Sequence, residues 1–505
     1  MNYGGISLEA YMQRGDGFND ASAADVQELN KAIMATDQQG MQIVGSTTAS
    51  GAPLKVESLE KTLKVVTFSQ KNIVFWKETP ILPAYNTVEE FNRLTSYGSD
   101  QGGFTGEGEL PEEADSTYVR ESELVKYMGN TRVVTHPMTL VNTAHGAIIQ
   151  REIENGTIWI LSKIERALFE GNSSIIPEEF NGIYKQMQSD YSNEISYLQS
   201  TNVIDMRGNR MDDDSLETGS NSIIENYGYP TDIYWSPKTG ADYAKNYFPR
   251  QRVMNPVNNA GAQEFKAGAR VVSFVSQAGE IPFHPDVFLR PKPAKTVTST
   301  STSPKAPSKP IADAVAPVTP VAATVANTMF QSADNGTYLY AVSGLNRYGE
   351  SGLTVLSQTP ATIVTSGAAA LKFSDGGGTY AASGFRIYRA AMGSAYSGTL
   401  SFYPLFDIGV SDLANGFNGG AAGVVYDLNL YLPNTSKALM LQKDLEFYSF
   451  KQLAPLMKMD LALLAPAYRF QILLYGTPIV YAPRKAVEYI NIGTSVNATT
   501  NALIA

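Results

Sequence analysis

The sequence offers few side chains of the kinds that catalyse reactions or bind metal ions. Its three histidines, His136, His145 and His284, are far apart, and no two lie four residues apart with a carboxylate, as in a helical zinc site. We interpret them as structural histidines, with His145, near the start of a predicted helix, a weak candidate for a general base. The chain contains no cysteine, which excludes thiol nucleophiles and cysteine-ligated zinc.

Clusters of carboxylates give no better support to catalysis. The run Asp212 to Asp214, preceded by Asp205, lacks the glycine and final glutamate of a calcium loop, and predicts a solvated loop. The paired carboxylates Glu112 and Glu113 lie among Gly and Ser, with nothing apolar beside them to raise a pKa. Such charges suit pairing with Arg or Lys on a neighbouring subunit, and the candidate contacts of this kind are Glu107, Glu109, Glu112, Glu113 and Asp115.

The glycine patterns of the sequence match no catalytic or phosphate-binding motif, and its aromatic residues suggest packing or surface contacts. The glycines at 376–378 are not followed by the Lys-Ser/Thr pair of a phosphate-binding loop, so they predict a turn. No Gly-x-Ser-x-Gly elbow occurs. We therefore predict that the protein is not an enzyme and needs no metal or cofactor. Core packing is expected for Trp76, whereas Tyr348 and Tyr396, at expected loop positions, are candidate contacts for a surface ligand such as a sugar.

Length and composition limit the class of protein. At 505 residues and 54.7 kDa, two or more domains are expected, and 43% hydrophobic with 17% charged residues is typical of a globular chain. A net charge of −10 argues against a surface that grips nucleic acid. No signal peptide is expected, and no run approaches the roughly 18 apolar residues of a membrane-spanning helix.

The elements that would position these residues begin with an extended arm, residues 1–57. It is polar apart from one amphipathic helix starting at Ser22, whose apolar stripe is Val26, Leu29 and Ile33. Nothing nearby in sequence covers that stripe, so contact with distant parts of the fold or with another subunit is expected. Short apolar runs predict strands at 65–68 and 73–76.

Two features dominate the next part of the chain. Residues 95–117 are rich in Gly and acidic residues, and with the alternating segment that follows they predict a long two-stranded excursion with little core of its own. Apolar residues at helical spacing then predict a helix over 143–170, with Thr143 as N-cap and Gly171 after its end. Gly156, inside it, predicts a bend or a close packing contact.

The second half of the chain changes character twice. Residues 183–290 mix helix and strand signals, and a Pro/Ser/Thr-rich stretch at 291–320 predicts a stiff linker. Residues 321–432 have short β-type runs separated by Gly-rich turns, which predicts an all-β sandwich. After 433 the α+β pattern returns, with a partly helical stretch expected at 443–459, so the sandwich is interpreted as an insertion.

The order and lengths of these elements resemble the major capsid proteins of tailed bacteriophages, the Hong Kong 97 type of fold. In that family an N-terminal arm precedes an extended hairpin loop, a long spine helix and an axial α+β domain. The segments 470–492 (FQILLYGTPIVYAPRKAVEYINI) and 236–247 (SPKTGADYAKNY) resemble its late strand pair and helix-opening segment. The corresponding parts of this chain are the arm 1–57, strands and loop 58–135 (loop about 85–125), peripheral domain 136–290 with the start of the axial domain, linker 291–320, insertion 321–432 and return 433–505.

The inserted region has a resemblance of its own, to fibronectin type III and related immunoglobulin-like domains. Residues 338–354 (YLYAVSGLNRYGESGLT) resemble the Tyr-rich strand and turn of that family, and 384–390 (GFRIYRA) resembles another strand. The spacing departs from the seven-strand pattern around 374–384. The expected fold class is therefore α+β, a Hong Kong 97-type capsid fold with an inserted all-β immunoglobulin-like sandwich.

What the capsid resemblance implies is a structural subunit. Copies are expected to form hexamers and pentamers of an icosahedral head that encloses double-stranded DNA without sequence-specific binding. A portal, a separate scaffolding protein and a decoration protein are the further expected partners, and no membrane is involved. The expected location is the virion shell, after assembly in the host bacterial cytoplasm. Self-catalysed cross-linking at the loop tip is not expected, because 98–117 contains no lysine.

Two other functions are also compatible with the sequence. An encapsulin-like cargo shell would use the same fold without packaged DNA. A secreted or surface carbohydrate-binding adhesin would instead use the β sandwich as its functional part. A hydrolase comes last, since no constellation of residues supports one.

Overall fold

The computed structural model describes residues 2–3, 6–7, 69–98, 103–110, 113–141, 147–189, 202–247, 271–322, 324–462 and 465–493. The chain divides into two compact units, Met1–Lys64 with Asn142–Gly146, and Val65–Val141 with Ala147–Ala505. The described part of the first unit is an antiparallel pair of strands, β1 (Asn2–Tyr3) and β2 (Ile6–Ser7). The arm residues Val26, Leu29 and Ile33, and the strand predicted at 65–68, lie outside the described residues.

The second unit is rich in strands, and the predicted α+β class is confirmed. Its described helices are α1 (Phe75–Glu78), α2 (His136–Leu140), α3 (Ile148–Glu170), α4 (Ile183–Ser189), α5 (Asp213–Glu225), α6 (Pro237–Tyr247) and α7 (Val410–Asn415). Its described strands are β3 (Ile81–Pro83), β4 (Val88–Ser96), β5 (Thr117–Leu124), β6 (Lys126–Thr135), β7 (Val203–Asp205), β8 (Asp232–Trp235), β9 (Ser273–Ser276), β10 (Gly279–Pro285), β11 (Lys295–Thr296), β12 (Ile311–Ala312), β13 (Val318–Val321), β14 (Gly336–Tyr338), β15 (Tyr340–Asn346), β16 (Gly349–Glu350), β17 (Thr354–Val355), β18 (Ala361–Ile363), β19 (Ala368–Ser374), β20 (Gly384–Ala390), β21 (Ser401–Gly409), β22 (Val424–Asp427), β23 (Ser436–Leu441), β24 (Tyr448–Asp460), β25 (Ala467–Val480) and β26 (Ala486–Ile492).

Helix α3, the spine helix, has 23 residues and is about 34 Å long at 1.5 Å per residue. Its apolar stripe, including Ile160, Ile164 and Leu168, is fully buried against the spine sheet, whose strand order is β3-β24-β25-β6. Gly156 makes the close contact that its position predicted, because a Cβ there would lie 2.6 Å from Ile472 Cδ1. The helix begins at Ile148 rather than 143, and the predicted N-cap Thr143 lies outside the described residues.

A second sheet, of six strands, runs through the segments predicted to form the axial domain, in the order β7-β26-β23-β8-β10-β9. Both of its faces are covered. Along β8, Ile233 and Trp235 belong to the core on the side of α5 and α6, whereas Tyr234 belongs to the core around the spine helix. This alternation follows from the two-residue period of a strand, so one sheet joins both cores.

The inserted β module consists of antiparallel sheets of six, four and two strands around its own core. Strands predicted near 337–342, 384–389 and 424–428 are confirmed, and the short helix α7 was not predicted. The linker prediction for 291–320 is wrong in part, because β11, β12 and β13 from this stretch pair with β21 and β19. Proline is tolerated in such short edge strands, where an N–H is not needed for pairing. The immunoglobulin-like identity of the module stays a prediction.

Two other predicted elements are wrong. The segment 73–76, predicted as a strand, enters helix α1, because the Glu165 carboxylate accepts the N–H groups of Val74, Phe75 and Trp76. The partly helical stretch predicted at 443–459 lies mostly in strand β24, which pairs with β25 along its length. Pairing with a buried strand overrides the local helical preference there. Among the described helices, none combines the length and the apolar content that crossing a membrane would require.

Candidate functional site

The extended hairpin, residues 85–125, has large apolar side chains but no core to bury them. Strands β4 and β5 pair in antiparallel register, as predicted, and form a two-stranded sheet of their own. Leu110 is 93% exposed and Phe104 is fully exposed. Tyr85, Tyr97 and Tyr118 are also exposed. Exposed apolar groups at this density are typical of a surface that contacts another molecule.

The hairpin is attached at its root by one buried arginine. Arg93, on β4, donates from Nη2 to the carbonyl oxygen of Val480 at 2.6 Å and forms an ion pair with Glu121 on β5. Beside it, the rings of Phe91 and Tyr481 meet edge to face at 5.4 Å between centroids. The root is therefore fixed to the end of β25, while the tip makes no such contact among the described residues.

The acidic residues predicted to contact a neighbour are brought together on this hairpin. Glu107, Glu109, Glu113 and Asp115 are all exposed, and Glu112 lies outside the described residues. Glu109 also accepts the N–H of Gly106 at 3.2 Å, which shapes the turn at the tip. Their pairing with cations of another subunit stays a prediction.

The face of the spine sheet that points away from the spine helix is a second apolar surface. Phe470, Ile472 and Leu474 on β25 face the helix, so the residues between them face the other way. There the rings of Tyr127 and Tyr475 meet edge to face at 5.1 Å. Tyr127, Val133 and Met459 are each about half exposed. In the part of the chain that the structure describes, no element covers this face.

One cluster brings together groups that could ligate a metal, and it involves a residue singled out from the sequence. His284 lies between two carboxylates, with Nε2 2.7 Å from Asp232 Oδ1 and Nδ1 3.7 Å from Glu78 Oε1. Lys443 Nζ lies 3.1 Å from Glu78 Oε2 and 3.3 Å from Asp232 Oδ1. The Tyr234 hydroxyl donates to Glu78 at 2.5 Å.

This cluster acts as an ion-pair network. Burial tends to raise the pKa of Asp232, but hydrogen bonds from His284 and Thr231 and the charge of Lys443 hold it below its usual value. The lysine ammonium occupies the position between the carboxylates that a cation would take. The network ties α1 to β8 and β10, and sequence reasoning missed it because its members are far apart in the chain.

The other singled-out residues have structural surroundings. His136 is exposed beside Tyr468, and His145 lies outside the described residues. The run Asp212 to Asp214 is solvated but is not simply a loop, because Asp212 caps helix α5 by accepting the N–H of Ser215 at 3.0 Å. Gly377 and Gly378 have positive φ angles, as the predicted turn requires.

The two tyrosines predicted as ligand contacts differ in exposure. Tyr348 is 41% exposed, but Arg347 and Lys305 lie over its ring at 4.7 and 5.4 Å from the centroid. Tyr396 is half-buried against the second core cluster of the module. A ligand role for either stays a prediction.

A chain of partly buried charges fixes the β module to the spine helix. Lys292 lies 3.3 Å from both Glu170, the last residue of the helix, and Asp407 on β21. Asp407 in turn pairs with Arg386 at 2.6 Å. Although burial opposes ionisation, the charges of Arg386 and Lys292 hold the pKa of Asp407 well below its usual range. The module is therefore attached to the spine helix by ion pairs as well as by its connecting segments.

Comparison with known proteins gives a sequence relationship. The chain is 21% identical over 310 residues to the major capsid protein of Staphylococcus phage K, a match that covers 57% of this chain and 64% of that protein. The chain thus spans less than two thirds of this relative's length. No protein-family model matches it. By sequence, the chain resembles phage major capsid proteins, as the order of its elements predicted.

Two solved structures with similar coordinates come from an encapsulin complex and a phage capsid. One is from the holo-SrpI encapsulin complex of Synechococcus elongatus PCC 7942, with a TM-score of 0.43 and 8% identity over 90% of this chain and 99% of that chain. Another is the capsid structure of cyanophage P-SCSP1u, with a TM-score of 0.43 and 9% identity over 89% and 96%.

Proposed function

We propose that this protein is a major capsid protein, which assembles with many copies of itself into the closed icosahedral shell of a phage head. The observation that carries the proposal is the sequence relationship to the phage K capsid protein. It is supported by the extended hairpin and the outer face of the spine sheet, two apolar surfaces that need a partner to be buried.

In this proposal the subunits form hexamers and pentamers. The hairpin and the N-terminal arm lie across subunit boundaries, because neither has enough core to be stable on its own. Contacts of this kind are repeated around a closed shell, so modest individual interfaces add up to high overall stability. The exposed acidic residues Glu107, Glu109, Glu113 and Asp115 pair with Lys or Arg of the adjoining copy.

The shell encloses double-stranded DNA without binding a particular sequence, in keeping with the net charge of −10. A portal and a separate scaffolding protein take part in assembly, which takes place in the host cytoplasm, and the finished protein is located in the virion. It is a structural protein and not an enzyme. The β module projects outward, where it can meet a decoration protein or a surface ligand.

The proposal is tested by expressing the full chain, alone and with its genomic neighbours, and examining the products by sedimentation and negative-stain electron microscopy. Closed shells tens of nanometres across are expected. A chain that stays monomeric or dimeric under every condition would contradict the proposal. Shells that contain a protein cargo and no DNA would indicate the encapsulin-like alternative.

A matched pair of variants tests the role of the hairpin. Leu110→Ser removes a 93% exposed side chain from the hairpin, and Val315→Ser removes a 92% exposed side chain from the β module. We expect Leu110→Ser to lower the yield of shells while leaving folded subunits, and Val315→Ser to leave assembly unchanged. Equal yields from the two variants would mean that the hairpin tip is not an assembly contact.

A further inference from the structure

Two buried carboxyl groups lie together where three parts of the chain meet. Glu165 is on the spine helix, and Asp286 follows β10 at the start of the segment that leads to the β module. Neither side chain has any exposed surface. The two are within hydrogen-bonding reach of each other. Two carboxylates cannot hydrogen-bond unless one of them carries a proton.

The hydrogen bonds around the pair indicate which of the two carboxyl groups carries the proton. Glu165 Oε1 accepts the N–H groups of Val74 and Phe75 at 2.8 and 2.6 Å, and Oε2 accepts that of Trp76 at 2.8 Å. Both oxygens of Glu165 therefore already act as acceptors, which leaves Asp286 as the member of the pair that can donate a proton. Asp286 Oδ1 accepts one N–H, from Phe288 at 2.8 Å, and Oδ2 is buried with no hydrogen-bond donor among the described residues.

Among the described residues, no cation neutralises a second charge on this pair. The titratable groups that face the pair are Tyr234 on β8, Tyr448 on β24 and Tyr184 on α4, and burial raises the pKa of each, so all three stay neutral. Glu170 and Glu488 lie farther off, beside Lys292 and Lys437 respectively. The charged group that acts on Asp286 is Glu165, which is also negative.

We propose that Asp286 keeps its proton at neutral pH and donates it from Oδ2 to Glu165, so that one shared proton joins the spine helix to the segment after β10. The same carboxylate holds the N-terminal turn of α1, so the proton fixes a joint between α1, the spine helix and the segment that leads to the β module. Ionisation of Asp286 would place two negative charges side by side and loosen that joint. The device is an alkaline switch within one subunit.

The pH dependence follows from the direction of the shift. Burial, followed by the charge of Glu165, raises the pKa of Asp286 to about 8, well above the value of an unfolded aspartate. The protonated form therefore contributes stability that is fully present below the unfolded pKa and is lost as the pH rises through about 8. Below neutral pH other carboxylates also titrate, so the informative range is neutral to alkaline.

The test compares the full-length protein with Asp286→Asn and with Asp313→Asn as control. Both aspartates accept backbone N–H groups that an asparagine oxygen can still accept, but Asp313 is exposed on the β module. We expect the melting temperature of the unchanged protein and of Asp313→Asn to fall by several degrees between about pH 7 and about pH 9.5. Asp286→Asn, which carries a permanent donor in place of the proton, should melt higher at the alkaline end and change less.

Infrared spectroscopy gives a second measurement that does not depend on stability. The unchanged protein should show the carbonyl stretch of a protonated carboxyl at neutral pH, lost in the alkaline range and absent from Asp286→Asn. If Asp286→Asn does not fold, the band is titrated in the unchanged protein and in Glu165→Gln instead. Because Glu165→Gln removes the neighbouring charge, the band should disappear at a lower pH in that variant than in the unchanged protein. No such band at neutral pH, or parallel melting profiles for all variants, would overturn the proposal. Stabilisation by Ca²⁺ that Asp286→Asn abolishes would also overturn it, because the pair would then bind a cation rather than a proton.

Discussion

Leu168 on the spine helix has no exposed surface, whereas Leu110 in the extended hairpin is 93% exposed. The same contrast holds for their neighbours: Ile160 and Ile164 are fully buried, and Phe104 is fully exposed. The spine helix has its partners within the subunit, in the spine sheet and the axial core. The hairpin has an apolar surface of similar chemistry whose partners, in the proposed shell, belong to another copy. One region therefore determines the stability of the subunit, and the other should determine the stability of the assembly.

The largest expected effect comes from making the same substitution in both regions. Leu168→Ala should lower the free energy of unfolding of the unassembled chain by about 2–5 kcal/mol, because it removes buried methyl groups and leaves a cavity. Leu110→Ala should change it by less than about 0.5 kcal/mol, since the side chain is solvated before assembly. Denaturant unfolding of unassembled subunits measures both. A large loss for Leu110→Ala in that form would mean that the hairpin is buried within its own subunit, and the comparison would fail.

The boundary between the two regions lies at Arg93. Arg93→Ala removes the hydrogen bond to Val480 and the ion pair to Glu121, and should cost about 1–3 kcal/mol locally. Hydrogen–deuterium exchange of unassembled subunits should become faster in β4 and β5, with no change in the spine helix.

The control is Arg120→Ala on the same hairpin, where the arginine is exposed and lies 3.5 Å from Glu90. This change should leave exchange in both strands as it was. Faster exchange in the spine helix of Arg93→Ala would show that hairpin and helix unfold together rather than separately.

The two regions also differ in how far the sequence could predict them. The helical spacing of Ile160, Ile164 and Leu168 predicted the buried stripe, because every partner of a regular helix face lies within the fold. For the hairpin, the lack of core residues predicted an exposed excursion. In the proposed shell the surface that it contacts lies on another copy, and no periodicity in the sequence relates two segments that meet between copies. Predictions of helix or strand were wrong where a distant partner determines the conformation. At 443–459, pairing with β25 makes the segment a strand.

The buried carboxyl pair, Glu165 and Asp286, could be predicted from the sequence only in part. Glu165 reads in the sequence as one charge on a helix that is otherwise apolar on that face, which is unusual but gives no partner. Its three N–H donors come from residues 74–76, and its carboxyl partner is Asp286. Both are far from Glu165 in the sequence, so the spacing rules of a helix or a strand do not predict them. A lone carboxylate on a helix face that is predicted to be buried nevertheless indicates a buried polar contact. Such a group is buried only where hydrogen-bond donors surround it or where a proton neutralises it. The contacts of His284 with Asp232 and Glu78 carry no comparable signal.

The smallest expected effect concerns the acidic side chains of the hairpin, and it separates charge from apolar contact. The double change Glu107→Gln with Glu113→Gln removes two exposed charges from the hairpin, and Glu225→Gln with Asp375→Asn removes two exposed charges elsewhere. If the hairpin charges lie near Lys or Arg of the adjoining copy, the first pair should slow assembly by a few-fold at low salt. That difference should disappear as salt is added, because exposed ion pairs are screened within about 10 Å at moderate ionic strength. The second pair should leave the rate unchanged or raise it slightly through the lower net charge. Light scattering at two salt concentrations measures both. Identical behaviour of the two double variants would mean that the acidic residues keep the hairpin solvated before assembly and make no contact in the shell, leaving the apolar side chains as its sole binding surface.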